Sequence, residues 1–61
     1  MASLTVQELQ AMDRHLASEQ MLVKKYVSLS VSCTDPQLKA KFEQISARHQ
    51  DHFNRLIKHL E

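Results

Sequence analysis

The sequence predicts an all-α fold, an antiparallel hairpin of two long helices over about 6–33 and 36–60 that dimerises into a four-helix bundle. Three observations carry this prediction. Apolar residues recur alternately three and four positions apart along most of the chain, which marks one face of a helix. The 61 residues contain no glycine, and the single proline follows an aspartate near the middle, at Asp35-Pro36. A two-helix hairpin of this size buries only one stripe per helix, so it needs a partner to complete a core. Closed two-fold assemblies are the commonest solution.

The first helix opens at Thr5-Val6-Gln7-Glu8. This is a capping-box pattern, in which the threonine oxygen accepts an orphan backbone N–H and the glutamate reaches back to the cap. Residues 1–4 are read as a loose end. Nothing breaks the helix before Cys33, although Ser28, Ser30 and Ser32 weaken its last turns. Asp35 then serves as N-cap and Pro36 takes the first helical position, where a missing N–H is harmless. The alternative fold is one continuous helix in a coiled coil; Asp35-Pro36 argues against it, because proline disfavours helical geometry in the residue before it. At the standard rise the helices are roughly 35–42 Å long, and their similar lengths suit an antiparallel hairpin.

The seam of the first helix reads Leu9, Met12, Leu16, Glu19, Val23, Tyr26, Ser30 and Cys33. In the second it reads Leu38, Phe42, Ile45, His49, His52, Leu56 and His59, with Phe53, Ile57 and Leu60 widening the apolar face. Leu22 and Leu29 flank the first seam and widen it toward a further partner. Folding back about Thr34-Asp35 makes residue numbers at equal height sum to about 69, since both helices rise equally per residue. Glu19 is then level with position 50, flanked by His49 and His52. A carboxylate and two imidazoles fall in one layer, at positions the pattern otherwise reserves for apolar side chains.

An unpaired charge in such a layer costs several kcal/mol unless the residues are paired, protonated appropriately or bound to a metal. His49 and His52, at i and i+3, project about one turn apart, and Glu19 completes a mixed nitrogen and oxygen set for a divalent ion. In a dimer, two-fold symmetry delivers two glutamates and four histidines toward the bundle axis. The other reading is a Glu-His-His hydrogen-bond network that fixes register and partner choice. His15, one turn before Glu19, is a candidate outer contact or fourth ligand, or a boundary histidine touching water. Tyr26 is a candidate to reach the ligands with its hydroxyl, or a core aromatic. His59 near the C-terminus interacts with the helix dipole. Glu43 and Asp51 read as surface charges.

Other chemistries find little support. A net charge of +1, with basic residues spread around both helices, gives no nucleic-acid footprint. No apolar run is long enough for a membrane span or a signal-peptide core. Cys33 is the only cysteine, which rules out an internal disulfide and fits a small, partly buried side chain. Phosphate-cradling loops are absent with the glycines.

The segments Ser18-Glu19-Gln20-Met21-Leu22-Val23-Lys24-Lys25-Tyr26, Asp35-Pro36-Gln37-Leu38-Lys39 and Ala47-Arg48-His49-Gln50-Asp51-His52-Phe53-Asn54 resemble the coat F-like proteins of spore-forming bacteria. The resemblance covers most of the chain. It implies a ferritin-like helical fold and a spore-coat-associated protein, located in the cytoplasm of the sporulating cell or in the coat, with other coat proteins as partners. Ferritin-like metal sites pair a glutamate on one helix with Glu-x-x-His on the next. Glu19 and His52 match that pattern, and His49 stands where the second glutamate belongs. Nitrogen in place of oxygen moves the preference from a di-iron centre toward zinc, nickel, copper or a mononuclear site. Zinc or iron is the expected cofactor, its identity open. The leading functional expectation is a non-enzymatic structural or assembly protein. The alternatives are a ferritin-like metal-dependent redox or storage protein, and a regulatory module that binds another helix.

Overall fold

The computed structural model describes residues 4–60. Over that span the chain forms two α-helices, α1 (Val6–Ser32) and α2 (Pro36–Lys58), packed side by side as a hairpin of 46 × 16 × 10 Å. Met1 to Ser3, most of the expected loose end, lie outside the described residues, as does Glu61. No strand occurs among the described residues.

Local chemistry sets each boundary. The Thr5 hydroxyl accepts from the Glu8 N–H at 3.0 Å, and the Glu8 carboxylate accepts from the Thr5 N–H at 3.0 Å, closing the capping box. At the other end α1 stops at Ser32, one residue before the expected limit, because Cys33 adopts an extended conformation (φ −81°, ψ 127°). The serines do not unwind the last turns. Ser30 and Ser32 donate their hydroxyls to the carbonyls of Val27 (2.8 Å) and Ser28 (3.1 Å), a local bond available only while the backbone stays helical. Lys39 reaches across from α2 and donates to the Ser30 carbonyl at 2.9 Å, satisfying one of the acceptors a helix end leaves open.

The turn consists of Cys33, Thr34 and Asp35, and no described residue has positive φ, so the absence of glycine imposes no strain. Asp35 Oδ1 accepts from the N–H groups of Gln37 (2.9 Å) and Leu38 (3.1 Å), with Pro36 at the first helical position. The second helix ends at Lys58, and His59 and Leu60 form a turn, so it is two residues shorter than its pattern predicts. Arg55 and Lys58 in its last turn complement the partial negative charge there.

The predicted register holds. Lys39 meets Ser30, His49 meets Glu19, and the rings of Tyr26 and Phe42 lie 6.0 Å apart, each pair summing close to 69. The facing stripe of α2 differs in detail from the seam read off the sequence. Its half-buried residues include Phe42, Ile45, His49, Phe53, Leu56 and Leu60, whereas Leu38, His52 and His59 are exposed. A seam counted at 3.5 residues per turn drifts by about 20° per heptad on a straight helix. Two heptads carry the contact line from His52 and His59 to Phe53 and Leu60.

No hydrophobic side chain among the described residues is fully buried; the only buried residues are Glu19 and Ser30, each 6% exposed. Leu9 and Val6 stay exposed because α2 ends level with about position 11 of α1, leaving the first turns uncovered. The chain exposes 4906 Å², against about 4,100 Å² for a compact monomer of this mass. No helix among the described residues is long and apolar enough to cross a membrane.

Candidate metal centre

Glu19 occupies the middle of α1 and turns its carboxylate toward α2. His49 Nδ1 lies 2.9 Å from Glu19 Oε2, and His52 Nδ1 lies 3.6 Å from the same oxygen. His15 Nε2, one turn earlier on α1, lies 3.9 Å from the other oxygen, Oε1. Three imidazoles thus surround one carboxylate that is almost wholly removed from water. A carboxylate only accepts, so His49 donates from Nδ1 to Glu19. That contact is the only one of the three within hydrogen-bond range. A buried carboxylate can accept about four hydrogen bonds, and Glu19 receives one at short range.

One potential ligand atom each from Glu19, His49 and His52 lies within 4.8 Å of the other two, which is the set the sequence pattern predicts. A tetrahedral ion with bonds of about 2.0–2.1 Å holds its donor atoms roughly 3.3 Å apart. The observed separations of 2.9 and 3.6 Å from Glu19 to the two histidines bracket that value. Conversion of this hydrogen-bonded layer into a three-donor cation site requires His49 to give up the Nδ1 proton it donates to Glu19, or to turn Nε2 inward, and the three donors to draw together from within 4.8 Å. The donor set, one carboxylate and two imidazoles, suits zinc and other borderline transition ions and is poor in oxygen for calcium or magnesium.

The three donors differ in exposure. Glu19 and His49 have side chains 8% and 22% exposed, whereas His52 is 47% exposed and lies at the margin of the interhelical contact. His52 and His15 open onto a shared groove of about 340 Å³, lined also by Arg55, Leu56 and His59. His15 faces the carboxylate at 3.9 Å from the water side and is itself exposed, as a boundary histidine is. Tyr26 meets the site through its ring. It stacks on His49 with centroids 6.2 Å apart and planes 13° apart, and also leans on Phe42. The T-shaped packing of His49 against His52 at 5.9 Å completes the layer.

The remaining candidates fall outside it. Asp51 pairs with Arg55 at 3.1 Å on the surface, and Glu43 is exposed. Cys33 is half-buried at the turn, roughly 20 Å along α1 from Glu19, too far to act with the histidines. His15 is the residue whose closeness the seam pattern under-reads, since it lies outside the alternating three-four stripe; its i,i+4 spacing to Glu19 is the signal that finds it. No family model, curated protein or solved structure matches the chain.

Proposed function

We propose that this is a small structural or assembly protein, related to spore coat proteins, whose hairpin pairs with a second copy as a four-helix bundle and binds a divalent transition metal at Glu19, His49 and His52. One observation carries the metal reading: a buried carboxylate has two imidazoles from the opposite helix at 2.9 and 3.6 Å. The pairing is supported by the lack of any fully buried apolar side chain among the described residues. The coat relationship is supported by the three sequence segments that resemble coat F-like proteins.

The test is elemental analysis of untagged protein after reconstitution with zinc or iron(II), alongside Glu19→Ala and His52→Ala and a sedimentation mass. Stoichiometric metal in the parent, lost from both variants, is the expected result. Metal retained by both variants would remove the assignment. A metal-free dimer would leave the layer as a hydrogen-bond network that sets register.

A ferritin-like redox or storage protein is the second reading, favoured by the Tyr26 ring stacked on His49, which places an oxidisable phenol beside a ligand. Dioxygen consumption and a new absorption band on adding iron(II) distinguish it. One carboxylate per hairpin, two against four imidazoles in a pair, weighs against a carboxylate-rich di-iron centre and for the structural reading.

A further inference from the structure

We infer that metal binding and the pairing of two hairpins are one linked equilibrium, in which the second copy covers the flank where His15 and His52 emerge and completes the coordination of the ion. This inference rests on the metal reading above, and three features of the hairpin support it.

The first is the height of the layer. Glu19 is the middle residue of α1, with residues 6–18 before it and 20–32 after it, equal halves of a 27-residue helix. By the register, Pro36 is level with about position 33 and Lys58 with about position 11, so α1 spans the height of the whole hairpin. Its midpoint is the hairpin's midpoint. Two fully overlapping hairpins related by a two-fold axis bring their midpoints level whether the axis runs along the bundle or across it. In either arrangement the two Glu-His layers meet at one height. A layer placed one turn nearer either end would meet its mate only in the parallel case.

The second is the direction in which the site opens. One hairpin supplies three donors, and a structural ion of this class takes four. Glu19 and His49 are enclosed between the helices, while His52 and His15, at 47% and 59% side-chain exposure, line the open groove. A fourth donor would reach the ion from that flank. At heptad spacing from these histidines the same flank carries Leu22 and Leu29 on α1 and Leu38 and Ile45 on α2, an apolar surface on the turn side of the opening, while Arg55, Leu56 and His59 line its other side.

The third is area. The surplus over a compact monomer, roughly 800 Å², equals one partner's share of a standard interface. A second copy fits this surface without strong repulsion, because the net charge per chain is only +1. An ion that binds the pair better than the single hairpin must strengthen pairing by the same factor, since linkage is reciprocal.

Sedimentation equilibrium of the untagged chain in saturating zinc and in chelator tests this. The expected result is a dimer dissociation constant at least tenfold lower in zinc. His52→Ala should remove the zinc dependence while leaving helix content unchanged, because that side chain lies at the margin of the interhelical contact. Leu38→Asp should weaken pairing with and without zinc; the leucine is 45% exposed, and an acidic residue is tolerated in the first turn of a helix. Zinc bound by each chain with pairing unchanged, or a persistent monomer in saturating zinc, would overturn the linkage and leave the metal site standing. Normal pairing by Leu38→Asp would move the second copy off this flank and overturn the inference. Failure to bind zinc at all would remove both the metal reading and this one.

Discussion

Replacing His49 by alanine and replacing the whole polar layer by leucine should move stability in opposite directions. His49→Ala takes away the one short hydrogen bond to a buried carboxylate and leaves the charge behind, which costs about 3 kcal/mol. The double variant Glu19→Leu, His49→Leu removes both partners and fills the space with apolar groups. It should be neutral or more stable by about 1–4 kcal/mol in chelator, where no ion rewards the polar layer. Urea unfolding at fixed protein concentration reads both; similar losses in the two variants would make the layer a source of stability in its own right. At this scale the sequence was informative about Glu19 and His49, because a polar residue in an apolar repeat is visible without any structure. The marginal position of His52 was not visible, since it depends on the slow drift between a heptad repeat and a straight helix. For Tyr26 the sequence left a hydroxyl contact and a core aromatic both open, and the ring packed on His49 and Phe42 is the second of these.

The helix starts were legible for a related reason: caps are short-range, and Thr5 with Glu8 or Asp35 with Pro36 carries the whole signal within four residues. The helix ends were less so. The Lys39 ammonium that closes the C-terminus of α1 comes from the other helix, and no local pattern reports it. The capping box also gives α1 an acid-sensitive first turn. Hydrogen bonds from the Thr5 backbone N–H and then the Thr5 hydroxyl hold the Glu8 carboxyl below its ordinary value of 4.5. A depressed folded-state value means the stabilisation is complete above 4.5 and is lost as the pH falls through the lower, folded value. Exchange of the Thr5, Glu8 and Leu9 amides, which are bonded in the cap, should accelerate as the pH is lowered through that window, beyond the intrinsic change in exchange rate. Thr5→Ala should show fast exchange at every pH, with no added acid response. Protection that is independent of pH in the parent chain would remove Glu8 from the cap.

Across the whole molecule, the hairpin and its register followed from counting, because two helices of equal rise joined by a short turn have one way to lie antiparallel. What counting missed was how little the hairpin encloses. Apolar residues at ideal spacing suggest a core, yet the side chains between two helices shield one another only partly. Leu16, Val23, Ile45 and Phe53 all remain half-exposed. The most enclosed side chain at the centre is instead a carboxylate. A single hairpin thus combines a costly polar centre with an uncovered apolar surface. The proposed pairing resolves both at once, by covering the surface and supplying the ion's remaining coordination.

The three-residue turn also orders events in time. Its nearest tertiary bond joins Lys39 to Ser30, nine residues apart, whereas Glu19 and His49 are separated by 30. Contacts nested in this way allow a chain to close from the turn outward, with little loop entropy lost at each step. The barrier to folding then lies at the turn, before the polar layer assembles. Asp35→Ala, which removes a cap worth about 1 kcal/mol, should slow folding roughly fivefold and leave unfolding almost unchanged. His49→Ala should do the reverse, speeding unfolding with little effect on folding. Stopped-flow chevrons of the two variants in chelator would show this division, and equal slowing of folding in both would place the layer inside the folding nucleus. The residues that hold the candidate metal centre would then be among the last to form, and the first to open when the hairpin comes apart.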